Sequence, residues 1–154
     1  MKKDRVLFVC VRNSARSQIA EAFLNQMGGD RFEAESAGLE PGDLNPLAVA
    51  TMQEIGIDIS ENSCTSVHTR HKDLLDLFKE GEVFSYVISV CDGASAEKCP
   101  IFPGIVTRLH WDIKDPGALE GTWEEQLDAT REIREQIREH VEAFIEKHVN
   151  WKPS

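Results

Sequence analysis

Residues 5 to 17 read Arg-Val-Leu-Phe-Val-Cys-Val-Arg-Asn-Ser-Ala-Arg-Ser, so that an apolar run ends in Cys10, Arg16 follows six positions later, and a helical pattern begins at Ser17. With Val6 to Val9 as a buried strand and Ser17 onward as a helix, the loop between them presents backbone N–H groups at a helix N-terminus, where negative charge is favoured. The spacing predicts an oxyanion site formed by Val11, Arg12, Asn13, Ser14, Ala15, Arg16 and Ser17. The same field favours thiolate over thiol at Cys10, which makes it the candidate nucleophile. Arg16 adds a permanent charge and a planar fork of donors for two oxygens. Ser17 can donate its hydroxyl to the sulfur and also act as a helix N-cap. Asn13 and Ser14 suit a loop that must hold its shape, because Asn tolerates left-handed backbone and both side chains can bond nearby amides. A cysteine at a strand end is by itself only a small hydrophobe. The pairing with an arginine at the strand-to-helix junction is what gives it a chemical reading.

Several elements must position this loop. The apolar first strand, about Arg5 to Val9, reads as one covered on both faces. A helix from Ser17 carries Ile19, Ala20, Phe23, Leu24 and Met27 at three-and-four spacing and stops at Gly28-Gly29. Phe32 to Ser36 reads as a second strand, with turn material from Ala37-Gly38 to Pro41-Gly42. Asn45-Pro46 supplies an N-cap and first-turn proline for a helix running to Ile55 and stopped by Gly56. Asp73 to Phe78 reads as a short helix, Phe84 to Val90 as a strand and Ile105 to Trp111 as a fourth. From Thr122 one long amphipathic helix carries Trp123, Leu127, Ile133, Ile137, Val141, Phe144 and Ile145 as its inner stripe, with Glu and Arg outside. This alternation predicts an α/β fold with a doubly wound parallel sheet and function at the strands' carboxyl edge. Cys10, Cys91 and Asp115, after the first, third and fourth strands, then share one rim.

The 154 residues are read as a single domain, 1–154, able to bury roughly 70% of the unfolded surface without staples. No apolar run reaches membrane-span length and no signal segment is recognisable, so a cytoplasmic location is expected. A net charge of −10 argues against nonspecific binding to nucleic acid or anionic membrane. An anionic substrate must then be held by local cations, for which Arg12 and Arg16 are the suppliers. Four cysteines in such a chain point to catalysis, redox chemistry or metal rather than structural bridges.

The segment from Val6 to Ala22 resembles the phosphate-loop signature of the low-molecular-weight protein tyrosine phosphatases and of the thiol-coupled arsenate reductases built on that scaffold. Further matches are Glu35 to Gly38, Gly56 to Ser60, Val90-Cys91 through Cys99-Pro100, and His110 to Pro116. The resemblance implies a four-stranded parallel sheet of order 2-1-3-4 flanked by helices, the phosphotyrosine phosphatase I-like fold. It also implies Asp115, before Pro116, as the general acid that protonates the leaving oxygen, with Asp112 as the fallback.

Cys91 and Cys99 separate the two branches. Within the resemblance, an arsenate reductase uses Cys10 to form an arseno-thiol adduct, a second thiol to attack the Cys10 sulfur, and a third to carry the disulfide onward. Thioredoxin, a glutaredoxin-type protein or a similar dithiol would regenerate it. The loop from Cys91 to Cys99 has the composition of a flexible excursion, Cys99-Pro-Ile-Phe-Pro resembles the reductase segment, and Gly117-Ala118 replaces the phosphatases' aromatic pair after Asp-Pro. These point to arsenate reduction without a cofactor; the alternatives are an aryl phosphate phosphatase and a non-catalytic oxyanion or metal sensor. Two positions depart from the family pattern. Ala15 stands where many members have another cysteine, and Thr65 where some reductases have an aspartate that helps hold potassium with the residues matching Asn13 and Ser36. Cys64, His68 and His71 have metal-ligand spacing, but a fourth ligand is not evident and no metal site is assigned.

Overall fold

The computed structural model describes residues 3–13, 15–38, 42–62, 64, 84–90 and 107–149. The elements in chain order are β1 (Asp4–Cys10), α1 (Arg16–Gly28), β2 (Phe32–Gly38), α2 (Pro46–Gln53), β3 (Tyr86–Ser89), β4 (Thr107–His110), a 3-10 turn (Pro116–Ala118) and α3 (Trp123–Val149). The strands form one sheet of order β2-β1-β3-β4. All three pairings are parallel, as expected from the βα alternation.

β1 is central because both faces of it are apolar. Val6, Phe8 and Cys10 belong to the main core, while Leu7 and Val9, alternating to the opposite face, are equally buried. The core combines Ile19, Ala20, Phe23 and Leu24 of α1, Ala48 and Met52 of α2, and Ile133, Ile137, Val141 and Phe144 of α3. Phe8 meets Trp111 with ring centroids 5.5 Å apart, which ties the end of β4 to the central strand. Asn45 caps α2 as its sequence suggests, its side chain accepting from the Leu47 N–H at 2.8 Å, with Pro46 in the first turn. Gly56 takes φ +81° just beyond that helix, a conformation that favours glycine.

Three expectations need correction. β2 runs through Gly38 rather than ending in a turn at Ala37, because Val9 and Cys10 continue the parallel pairing opposite Ala37 and Gly38. The third strand is shorter than its apolar run, with four residues from Tyr86 to Ser89, and the fourth ends at His110 rather than Trp111. Trp123 is 49% exposed although periodicity places it on the inner stripe; it opens the first turn of α3, while the fully buried stripe residues lie further along. The Asp73 to Phe78 helix lies outside the described residues. Among the described residues, no helix is long and apolar enough to cross a membrane.

Candidate active site

The loop after β1 is built around Asn13. Its φ of 54° is the single positive value at a non-glycine residue among those described, and Asn accepts that conformation more readily than most side chains. The turn aims the Asn13 backbone N–H at the Cys10 sulfur, 3.1 Å away. The Asn13 side-chain amide donates to Ser17 Oγ at 2.8 Å, and that oxygen lies 2.9 Å from Cys10 Sγ. The hydroxyl, accepting from Asn13, keeps its own proton and can donate it to a Cys10 thiolate. Cys10 is 2% exposed, so these contacts act away from bulk water.

The loop is held from outside by the end of β2. A Cβ on Gly38 would come within 2.7 Å of the Arg12 carbonyl carbon and of the Asn13 nitrogen, so only glycine permits this approach. The Gly42 N–H donates to the Arg12 carbonyl at 3.0 Å. Helix α1 opens at Arg16, one residue earlier than predicted. Its N-cap is Ala15, which has no side chain to cap it, so Ser17 serves the sulfur rather than the helix end.

Arg16 is 4% exposed. One arm of its guanidinium donates to the Ile113 carbonyl at 3.0 Å. Another lies 3.8 Å from Asp115 Oδ2, while the other carboxylate oxygen of Asp115 accepts from the Gly117 N–H at 2.8 Å. Asp115 is thus pinned through one oxygen and faces Arg16 with the other. Cys10, Arg12, Ala15, Arg16, Asp115 and Gly117 line a cleft of about 210 Å³ at the carboxyl edge of the sheet. A sulfur, a buried cation with a carboxyl beside it and a second, exposed cation are what a polyoxygenated anion could use.

The structure therefore brings together Cys10, Arg12, Ala15, Arg16 and Asp115, with Asn13 and Ser17 directly behind the sulfur. Val11 turns towards the core. Asp112, the fallback acid, lines a different groove with Gln136, Glu139, His140 and Ala143. Ser14, Cys91, Cys99, Thr65, His68 and His71 lie outside the described residues. Ser36 donates to Glu21 at 3.1 Å. Cys64 is a free, half-buried thiol; burial pushes it up, and the negative charges of Asp43 and Cys10 add to that. Among the described residues no cluster of three His, Cys, Asp or Glu is placed to hold a metal ion. Sequence reading missed the Ile113 carbonyl and the Gly38 contact, neither of which has a side-chain signal. It also passed over Gln18, whose polarity inside an apolar helix face was the available clue.

Residues 5–152 match the family described as low molecular weight phosphotyrosine protein phosphatase. Among curated proteins the chain is similar to the arsenate reductase of Shouchella clausii, at 38% identity over 95% of this chain and 98% of that one. It is likewise similar to the arsenate reductase of Bacillus subtilis, at 36% identity over the same shares. Among solved structures it resembles an arsenate reductase in its oxidized state, with a TM-score of 0.74, 32% identity, and coverage of 94% of this chain and 98% of that one.

Proposed function

The chain belongs to the low molecular weight phosphotyrosine protein phosphatase family, and from that premise we propose that it reduces arsenate to arsenite with Cys10 as nucleophile. The observation that carries this reading is the convergence of Cys10, Arg16 and Asp115 on one small polar cleft. That cleft suits a compact tetrahedral anion. Gly117 stands at its edge, where an aryl-binding site would need an aromatic wall.

In the proposed reaction the Cys10 thiolate attacks arsenic, forming an S–As bond as an As–O bond breaks. Asp115 gives its proton to the departing oxygen, and Arg16 with the loop amides neutralises the charge on the others. The thiolate of Cys91 then attacks the Cys10 sulfur. An S–S bond forms, the S–As bond breaks and its electron pair stays on arsenic, which leaves as arsenite. Cys99 attacks Cys91, frees Cys10 and leaves a Cys91–Cys99 disulfide for reduction by thioredoxin or a glutaredoxin-type dithiol. Support for the first step comes from the cleft geometry, and for the later ones from the resemblance of the Cys91 to Cys99 segment and the arsenate reductases among the relatives.

The test is arsenite production from arsenate with thioredoxin and glutaredoxin systems, run beside aryl phosphate hydrolysis. Cys91→Ser is expected to stop arsenite release after adduct formation, and Cys99→Ser to allow about one turnover before stalling with Cys10 tied to Cys91. Hydrolysis of aryl phosphate, which needs only Cys10, the anion loop and the acid, should survive both. If both serine variants reduce arsenate at the wild-type rate, the relay is wrong and the phosphatase reading replaces it.

A further inference from the structure

Behind the nucleophile lies a chain of side-chain amides that the reaction itself does not use. Gln18, on the second position of α1 after Arg16, is 1% exposed. Its Nε2 donates to the Asn13 backbone carbonyl at 3.1 Å and lies 3.4 Å from the Asn13 side-chain oxygen. Its Oε1 accepts from Asn62 Nδ2 at 3.0 Å. Asn62 follows α2 and lies near the surface, 44 residues away in sequence. Beyond Asn13 the same chain continues through Ser17 to the Cys10 sulfur.

Asn13 has four polar groups, and their assignment accounts for the arrangement. Its N–H goes to the sulfur and its Nδ2 to Ser17, both towards the reacting atom. Its carbonyl and side-chain oxygens both face Gln18. A residue in left-handed backbone persists there only when its surroundings over-determine it. With its acceptor atoms grasped from one side, its two donors are aimed at Cys10 and Ser17. A glutamine whose amide could rotate end for end would not serve this purpose, because an oxygen facing Asn13's oxygens would repel them. Asn62 fixes that choice by donating to the far end of the amide.

We propose that Gln18 and Asn62 are positioning residues for the nucleophile: together they lock Asn13 so that its two donors stay aimed at the sulfur and its hydroxyl partner. The proposal rests on the functional reading above only in taking Cys10 as the reacting thiol. It does not require that arsenate be the substrate.

The readout is therefore alkylation of Cys10 by iodoacetamide at neutral pH, followed by mass spectrometry of the Cys10 peptide so that the other cysteines do not contribute. Inorganic phosphate protection is measured in parallel. Gln18→Met keeps the volume and removes both polar ends. It should slow Cys10 alkylation about tenfold, while the phosphate concentration for half-protection changes less than threefold, because Arg16 is untouched. Asn62→Ala, near the surface and safe for folding, should slow alkylation about threefold. In the Gln18→Met background it should add nothing, since the chain is already cut. Wild-type alkylation in Asn62→Ala, or equal and independent effects in the double variant, would overturn the proposal. So would a Gln18→Met protein whose melting temperature, phosphate protection and alkylation all fall together, since that is the signature of a merely structural residue. If the wild-type protein shows no arsenate reduction, the functional reading fails while these alkylation results still decide this one.

Discussion

Replacing Arg16 by lysine tests whether a fork of donors, rather than a positive charge, holds the anion. The guanidinium reaches the Ile113 carbonyl with one arm at 3.0 Å and lines the cleft beside Cys10 and Asp115. An ammonium can keep one of these jobs. It either stays on Ile113 and gives up the anion, or turns to the anion and loses the anchor that aims it. Each hydrogen bond involving a charged group contributes roughly 1.5–3 kcal/mol. Losing one to the anion and one to the anchor, or both to the anion, therefore amounts to about 3–6 kcal/mol. At about 1.4 kcal/mol per factor of ten, kcat/KM for arsenate should fall by roughly two to four orders of magnitude. The pair with Asp115 adds little to this figure, because 3.8 Å is long and the carboxylate is 42% exposed. The assay is steady-state arsenate reduction, with phosphate inhibition as a binding control and urea unfolding to confirm the fold. A lysine variant within tenfold of wild type in kcat/KM would refute the fork.

Cys10→Ser should abolish turnover while phosphate still binds, as measured by calorimetry, because the hydroxyl keeps the size of the thiol but does not ionise near neutrality; measurable turnover would remove Cys10 from its role. Gly38→Ala must push backbone atoms of Arg12 and Asn13 from 2.7 Å contacts, so urea unfolding should show a loss of about 1–3 kcal/mol and Cys10 alkylation should slow with it. Asp115→Asn should slow arsenate reduction by roughly a hundred- to ten-thousandfold and Asp112→Asn should change it little, since Asp112 lines another groove; the reverse order would reassign the acid. Glu54 is held below its usual range first by the hydrogen bond from Arg131, then by the Arg131 charge and by Arg134. Its folded-state value being depressed, its contribution is present above the unfolded carboxylate range and is lost as pH falls through the folded value. Stability of the α2–α3 contact should thus decline in acid as pH falls below the ordinary glutamate range, and Glu54→Gln should flatten that part of the urea-midpoint profile.

The loop that carries the proposed nucleophile is legible in the sequence because its candidate residues are local. Cys10, Asn13, Arg16 and Ser17 lie within one strand end and one helix start, and a strand-to-helix junction fixes their relation whatever the rest of the chain does. The parallel, doubly wound sheet was legible in the alternation of strands and helices, while its order came from the family resemblance, the apolar first strand saying only that it is covered on both faces. Periodicity also found the buried stripe of α3 from Leu127 to Phe144. It erred at Trp123 because a period tells which face of a helix turns inward, not where the element it packs against ends. The resemblance set Asp115 before Asp112, and the tertiary structure places the two apart: the chain's course into the Pro116 turn brings Asp115 to Arg16, while Asp112 lines another groove. The anchor of Arg16 lies 97 residues away on a backbone carbonyl. Every residue carries such a group, so no side-chain pattern marks the one that matters. The approach of Gly38 to Asn13, and the amide chain from Asn62 through Gln18, depend in the same way on distant segments meeting at ångström range. Local order singled out the atoms proposed to react, and only the packing of remote segments decided what is aimed at them.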